Sequence, residues 1–166
     1  MSVSNQHLPP FEQVIEVHGR AVLRFCAAQV GPGLAEDCFQ ETMLAALRAY
    51  DQVREAAAIR SWLFSIAARK AVDSHRGRAR SPEPMADLEP VAGAEDAPVR
   101  DDGIWREVRS LPAKQRTAVT LRYLGDLSHA EIAEVMGTSE AAARRNVFEG
   151  LARLRELVEP MTEGPA

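Results

Sequence analysis

The chain has 166 residues, 46% of them hydrophobic and 27% charged, a globular balance with room for one domain or two small ones. A formal net charge of −4 and a pI near 5.6 exclude binding to nucleic acid through overall positive charge, so any such activity must sit in a local cluster. Aromatic residues make up only 5% while alanine and arginine are abundant, which favours helices over sheets.

The first residues, "MSVSNQHLPPF", lack a charged segment followed by an apolar run and do not read as a secretory signal. Pro10 and Phe11 open a helix that runs to about Val30, with Val14, Val22, Leu23, Phe25 and Cys26 on its apolar side. "GPG" at 31–33 stops it. A second helix spans about Leu34 to Tyr50. Phe39, Met43, Leu44 and Leu47 form its apolar stripe, and Asp37, Gln40, Glu41 and Arg48 lie off it. "DQVREAAA" reads as a loop or weak turn. A third helix covers about Ile59 to Arg76, with Trp62, Leu63, Ile66, Ala67 and Val72 as its apolar face.

Apolar periodicity then disappears. Residues 77–103 hold Pro82, Pro84, Pro90 and Pro98 among seven acids, Glu83, Asp87, Glu89, Glu95, Asp96, Asp101 and Asp102. This composition predicts a flexible acidic linker, extended at its prolines. It is either a solubilising spacer or a competitor of nucleic acid for positive surfaces. The expected organisation is an N-terminal helical domain at 10–76, the linker at 77–103 and a C-terminal helical domain at 104–158.

The C-terminal part begins with a short helix from Ile104 to Ser110. Pro112 starts the next helix, where its missing N–H is harmless, and Gly125 is its expected stop after Leu124. Ser128 and Glu131 have the spacing of a capping box. The helix they begin ends at Gly137, where a positive φ is cheap. Ser139 then caps a last helix to about Val158. Inside it, Gly150 costs about 1 kcal/mol relative to alanine and marks close packing. No alternating strand pattern occurs, so the fold class is all-α.

"LSHAEIAEVMGTSEAAARRNVFEGLARLR", Leu127 to Arg155, has the order of a DNA-binding helix-turn-helix. Ile132, Ala133 and Met136 face inward on its short first helix. Ala143, Val147, Leu151 and Leu154 pack back from the second. A plain αα-hairpin has the same skeleton. The exposed side favours DNA: Arg144 and Arg145 suit guanine or phosphate, Asn146 suits adenine, and Ser139 sits at a helix N-terminus able to hold a phosphate.

A second basic cluster precedes the linker. Arg60, Arg69, Lys70, Arg76, Arg78 and Arg80 stand against Asp73 alone. With Trp62 and Phe64 interleaved, they suit a nucleic-acid strand. The alternative is a solvated basic face with Trp62 in the core. Cys26 and Cys38 stand in helical runs without a CxxC spacing and read as buried thiols in a reducing compartment. His7, His18, His75 and His129 are scattered. Neither a metal site nor a cofactor is expected. No apolar run approaches the roughly 20 residues of a membrane helix.

Three segments in this order around a linker, "AEDCFQETMLAALRAYD" (35–51), "IRSWLFSIAARKAVDSHR" (59–76) and "LPAKQRTAVTLRYLGDLSHAEIAEVMGTS" (111–139), resemble the extracytoplasmic-function RNA polymerase sigma factors. The resemblance covers about Phe11 to Glu156. It implies two helical domains, sigma region two and sigma region four, with core RNA polymerase and promoter DNA as partners and an anti-sigma factor as a further one. It places polymerase binding on Glu36, Asp37, Gln40 and Glu41. It places the melting-helix signature on Trp62, Leu63 and Phe64.

Arg69, Asp73 and the loop from Gln52 to Ala58 would capture unstacked bases of the downstream promoter element. Arg60, Lys70, Arg76 and Arg78 would hold phosphates. Arg144, Arg145 and Asn146 would enter the upstream major groove. The chain departs from the family's usual pattern at Ala68 and Arg69, where the family's asparagine helps read the downstream element, and at Asn146, Phe148 and Glu149, which implies an unusual upstream sequence or weak binding. The expected function is promoter recognition in transcription initiation, in the cytoplasm and without enzymatic activity. The alternatives are a stand-alone helix-turn-helix regulator and a sigma-like interaction protein without promoter readout.

Overall fold

The computed structural model describes residues 7–80 and 103–162, with side chains at 78–80 and 159–162 outside the description. The linker's prolines and acids therefore lie outside the described residues. Among the described residues there are seven α-helices, two single 3-10 turns and no strand. The all-α expectation holds.

The first three helices form one hairpin and a third leg. α1 (Phe11–Val30) and α2 (Pro32–Ala49) meet at a single residue. Gly31 takes φ +87 and donates its N–H to Ala27 O at 2.9 Å. Pro32 then starts α2 at once, because its fixed φ suits the first helical turn. α2 thus begins two residues before Leu34, where the sequence placed it. Tyr50–Gln52 and Ala56–Ala58 are 3-10 turns. α3 (Ile59–Arg80) runs four residues past the expected end at Arg76.

The core face of α2 differs from the predicted stripe. Its buried residues are Ala35, Cys38, Thr42, Met43 and Ala46. Small side chains at this spacing let α1 and α2 approach closely. Phe39 is half-buried, while Leu44 and Leu47 are each 54% exposed. On α3, Leu63, Phe64, Ile66 and Ala67 are buried as a core face, but Val72 is 48% exposed. The Phe25 and Phe64 rings meet edge-to-face at 5.5 Å. Cys26 and Cys38 are buried free thiols. Contact with Cys38 and burial push the Cys26 thiol well above its ordinary range, so it resists becoming the reactive thiolate.

The second half comprises α4 (Gly103–Ser110), α5 (Ala113–Tyr123), α6 (His129–Met136) and α7 (Glu140–Thr162). Pro112 is the N-cap of α5 rather than its first residue. α5 gives way at Leu124, and the left-handed residue is Asp126 at φ 53. Gly125 is needed for space instead. A Cβ there would lie 2.8 Å from Leu121 O and 3.5 Å from Phe64 Cδ1.

The two halves pack against each other. α3 contacts α6, and α1 contacts α4 and α5. Phe25, Leu63, Phe64 and Ala67 share one hydrophobic cluster with Leu121, Leu127 and Ile132. A smaller cluster joins Ala28 of α1 to Val108, Leu111, Val119 and Leu154.

Candidate nucleic-acid interface

The helix-turn-helix forms as its sequence predicts. Ser128 Oγ accepts from Glu131 N at 3.1 Å, and Glu131 Oε1 accepts from Ser128 N at 3.0 Å. The two otherwise orphaned donors at the start of α6 are satisfied reciprocally. Gly137 ends α6 with φ 65, the left-handed conformation a Cβ would oppose. Ser139 Oγ accepts from Ala142 N at 3.1 Å and caps α7. Ile132, Ala133, Ala143, Val147 and Leu154 are buried, and Leu151 packs against them.

That packing fixes which side of α7 faces outward. Arg144 and Arg145 are exposed and Asn146 is half-buried. Arg144 pairs with Glu140 at 3.1 Å, an i,i+4 bridge between exposed side chains, worth only a few tenths of a kcal/mol, roughly 0.3–0.5. Arg145 is the more available guanidinium for a base edge. Glu149 Oε2 accepts from Gln115 Nε2 at 3.5 Å, which turns it toward α5. Phe148 was noted in the sequence only as a departure, yet it is 72% exposed. A large aromatic ring in solvent beside two arginines is an apolar surface available to a thymine methyl.

α3 carries the second candidate surface. Arg60, Arg69, Asp73 and Arg76 are exposed and Lys70 is half-exposed. Arg78 lies on the same helix, with its side chain outside the description. Phe64 is 1% exposed, so its predicted availability for bases does not hold: the ring is locked against Phe25. Trp62 is half-buried and packs at 6.2 Å from Tyr50, whose ring meets Phe11 at 5.3 Å. Tyr50 Oη donates to Pro9 O. The stretch from Gln52 to Ala58 is mostly exposed and carries one 3-10 turn at Ala56–Ala58. Arg60 approaches Asp126 at 3.5 Å.

His18 is half-buried nearby. Burial first, and the Arg60 charge second, lower its pKa below the ordinary 6.5. The neutral ring is therefore favoured in the folded chain. Its contribution to stability is complete above about pH 6.5 and is lost as pH falls through the lower folded value. The melting temperature should fall on acidification from pH 7 to 5. His18→Gln should remove part of that fall, and identical slopes for both proteins would disprove the assignment.

α2 presents the third surface. Glu36, Asp37, Gln40 and Glu41 are all exposed. Beside them an open groove of about 810 Å³ runs between α1 and α2, lined by Phe11, Ile15, Phe39, Gln40, Met43, Leu44 and Leu47. The sequence pattern groups its leucines with Phe39 and Met43 in one apolar stripe. The missed signal was the small-residue spacing of Ala35, Cys38, Thr42 and Ala46, which already supplies a core face. Among the described residues no group of three or more metal-ligating side chains occurs, and no helix is long and apolar enough to cross a membrane.

Residues 14–81 match the family Sigma-70 region 2, and residues 102–154 match Sigma-70, region 4. The chain is 33% identical over 158 residues to the ECF RNA polymerase sigma factor SigD of Mycobacterium tuberculosis, covering 87% of this chain and 74% of that protein. It is 26% identical over 168 residues to the ECF RNA polymerase sigma-E factor of Salmonella typhimurium, covering 91% and 87% respectively. Among solved structures, the sigma factor RpoE in complex with the anti-sigma factor NepR from Bartonella quintana has a similar fold. Its TM-score is 0.74 at 22% identity, with 90% of this chain and 96% of that one covered. CnrH in complex with the cytosolic domain of CnrY superposes with a TM-score of 0.65 at 21% identity, covering 90% and 88%.

Proposed function

The chain belongs to the extracytoplasmic-function RNA polymerase sigma factors, and we propose that it divides its work among the three surfaces of α2, α3 and α7. As a sigma factor it serves transcription initiation, with core RNA polymerase and promoter DNA as its partners. Glu36, Asp37, Gln40 and Glu41 dock the chain on polymerase, with Leu44 and Leu47 burying the apolar part of the contact. Arg69, Asp73 and the stretch 52–58 take up unstacked bases of the downstream element, while Arg60, Lys70, Arg76 and Arg78 hold phosphates and Trp62 supports the helix from within. Ser139, Arg144, Arg145 and Asn146 engage the upstream duplex, and Phe148 adds an apolar contact. The functional units are residues 10–76 and 104–158, joined by the acidic linker. An anti-sigma factor is a further partner. The site of action is the cytoplasm, where polymerase works, and the role is binding rather than catalysis.

The observation that carries this reading is the capped, glycine-turned α6–α7 pair, which turns Arg145 outward while its apolar face stays buried. In-vitro transcription with core polymerase tests it. Promoter-dependent transcripts are expected. DNA binding without transcripts would point to a stand-alone regulator, and polymerase binding without either to an interaction protein. Arg145→Ala should lose roughly 1–3 kcal/mol of discrimination at one upstream base pair. Arg144→Ala should lose less, because that guanidinium already pairs with Glu140. Equal losses on every upstream sequence would mean that Arg145 touches phosphate only.

A further inference from the structure

A second cleft, of about 800 Å³, opens between α3 on one side and α5 and α6 on the other. Sites for small organic molecules typically measure about 300–1,000 Å³. The floor is apolar, lined by Phe25, Val72, Val135 and Met136. Val72 is 48% exposed, so part of that floor is open to water. Ala68, a position where the chain departs from its family, adds only a methyl group to the lining. The polar groups within are already spent on one another. Gln29 Nε2 donates to Thr120 Oγ1 at 2.7 Å, and Gln29 Oε1 accepts from Arg116 Nε at 3.2 Å. His75 Nε2 binds the Gln29 carbonyl at 2.9 Å, and Thr117 Oγ1 donates to Ala113 O at 2.9 Å. The mouth is different in kind. Arg69, Arg76 and Lys114 line it and are exposed. None of the three forms an ion pair among the described residues, and Asp73 is the one carboxylate among the described lining residues.

We infer that this cleft binds a long-chain fatty acid, with the alkyl chain along the floor of Phe25, Val72, Val135 and Met136 and the carboxylate held at the mouth by Arg69, Arg76 and Lys114. The lining satisfies an apolar body and an anionic head together. A heterocycle in the same place leaves its ring nitrogens unpaired, because the buried polar groups already have partners, and an unpaired buried acceptor costs affinity. An alkyl chain needs no partner. At the mouth, a guanidinium meets a carboxylate through paired N–H donors. The bound head group occupies Arg69 and Arg76, so the fatty acid competes with the downstream promoter strand. That consequence, unlike the binding itself, rests on the promoter reading above.

Calorimetric titration of the full chain with octanoate, decanoate and laurate, each below its micelle concentration, tests the site. Affinity should rise about fourfold per added methylene. Dodecylammonium, with the same chain as laurate and the opposite charge, should bind more weakly. Val72→Gln should weaken laurate binding roughly five- to tenfold, and Lys114→Gln up to about fivefold. Both side chains are exposed, and circular dichroism should show wild-type helicity for both variants. In transcription with core polymerase, laurate should lower the promoter-dependent yield of the wild-type chain, and Val72→Gln should need correspondingly more laurate for the same loss. Binding that ignores chain length, or that neither substitution changes, would mean detergent adsorption and overturn the inference. So would inorganic phosphate or adenosine monophosphate binding as tightly as laurate. Laurate binding that appears only once the seven acids of residues 81–102 are changed to their amides would make that segment the occupant, and overturn it too. Laurate that inhibits both chains equally would overturn the placement of its head group. A wild-type chain that directs no transcription even without laurate would instead sink the promoter reading and leave the binding titration standing.

Discussion

Replacing Leu44 and Leu47 together by glutamate is expected to weaken binding to core RNA polymerase by at least about 100-fold, with little change in melting temperature. Both side chains are 54% exposed in the free chain, so the fold loses little when they change, and glutamate is a good helix former. The bound state loses much more. Burying a leucine side chain fully contributes about 1.5–3 kcal/mol. With half of each already covered, two together contribute roughly 1.5–3 kcal/mol on docking, about 10–150-fold in Kd. A carboxylate forced into an apolar contact adds a desolvation cost on top. The neighbouring acids should behave differently. Glu41→Gln removes an exposed charge, so it should slow association at low salt and matter little at high salt. Fluorescence anisotropy of labelled chain against core polymerase, at two salt concentrations, separates the two effects. Undiminished binding by the double variant would mean that polymerase docks elsewhere.

What the sequence made legible follows the range of the interactions involved. The Ser128–Glu131 capping box, the Gly137 turn and the Ser139 cap depend on residues within a few positions of one another. All three appear at the predicted places. Leu44, Leu47 and Val72 were misplaced because periodicity marks where apolar residues recur, not which side another helix covers. α2 has two apolar sides. Its core side is the one with small residues, because close approach to α1 excludes larger ones. Gly125 has the place of a helix stop, but what it supplies is space: a Cβ there would lie 2.8 Å from Leu121 O, while the left-handed residue is Asp126. Gln29 drew no notice because its partners lie 87 and 91 positions away. Nothing local distinguishes it from a surface glutamine.

Gly150→Val is expected to destabilise the C-terminal half by about 3 kcal/mol and to abolish upstream-element binding at physiological temperature. Helix propensity alone predicts the opposite, since glycine inside a helix costs about 0.5–1 kcal/mol relative to alanine. Packing reverses the sign. A Cβ at position 150 would lie 2.6 Å from Val119 Cγ2 and 3.4 Å from Gln115 O. Val119 is β-branched and stiff at χ1, and it is 5% exposed within the cluster that includes Leu154, so it has nowhere to turn. Overpacking a filled core costs typically about 1–3 kcal/mol, and valine brings two further methyl groups. The helices would part along α5–α7, tilting the outward face that carries Arg145. Gly150→Ala should lose less, about 1 kcal/mol after the gain in propensity. Val119→Ala should restore stability to Gly150→Ala more than additivity allows, as contacting residues do in a double-mutant cycle. Thermal unfolding of the four proteins measures the coupling. Strict additivity would show that the two side chains do not meet, and that Gly150 serves some purpose other than bringing the recognition helix close.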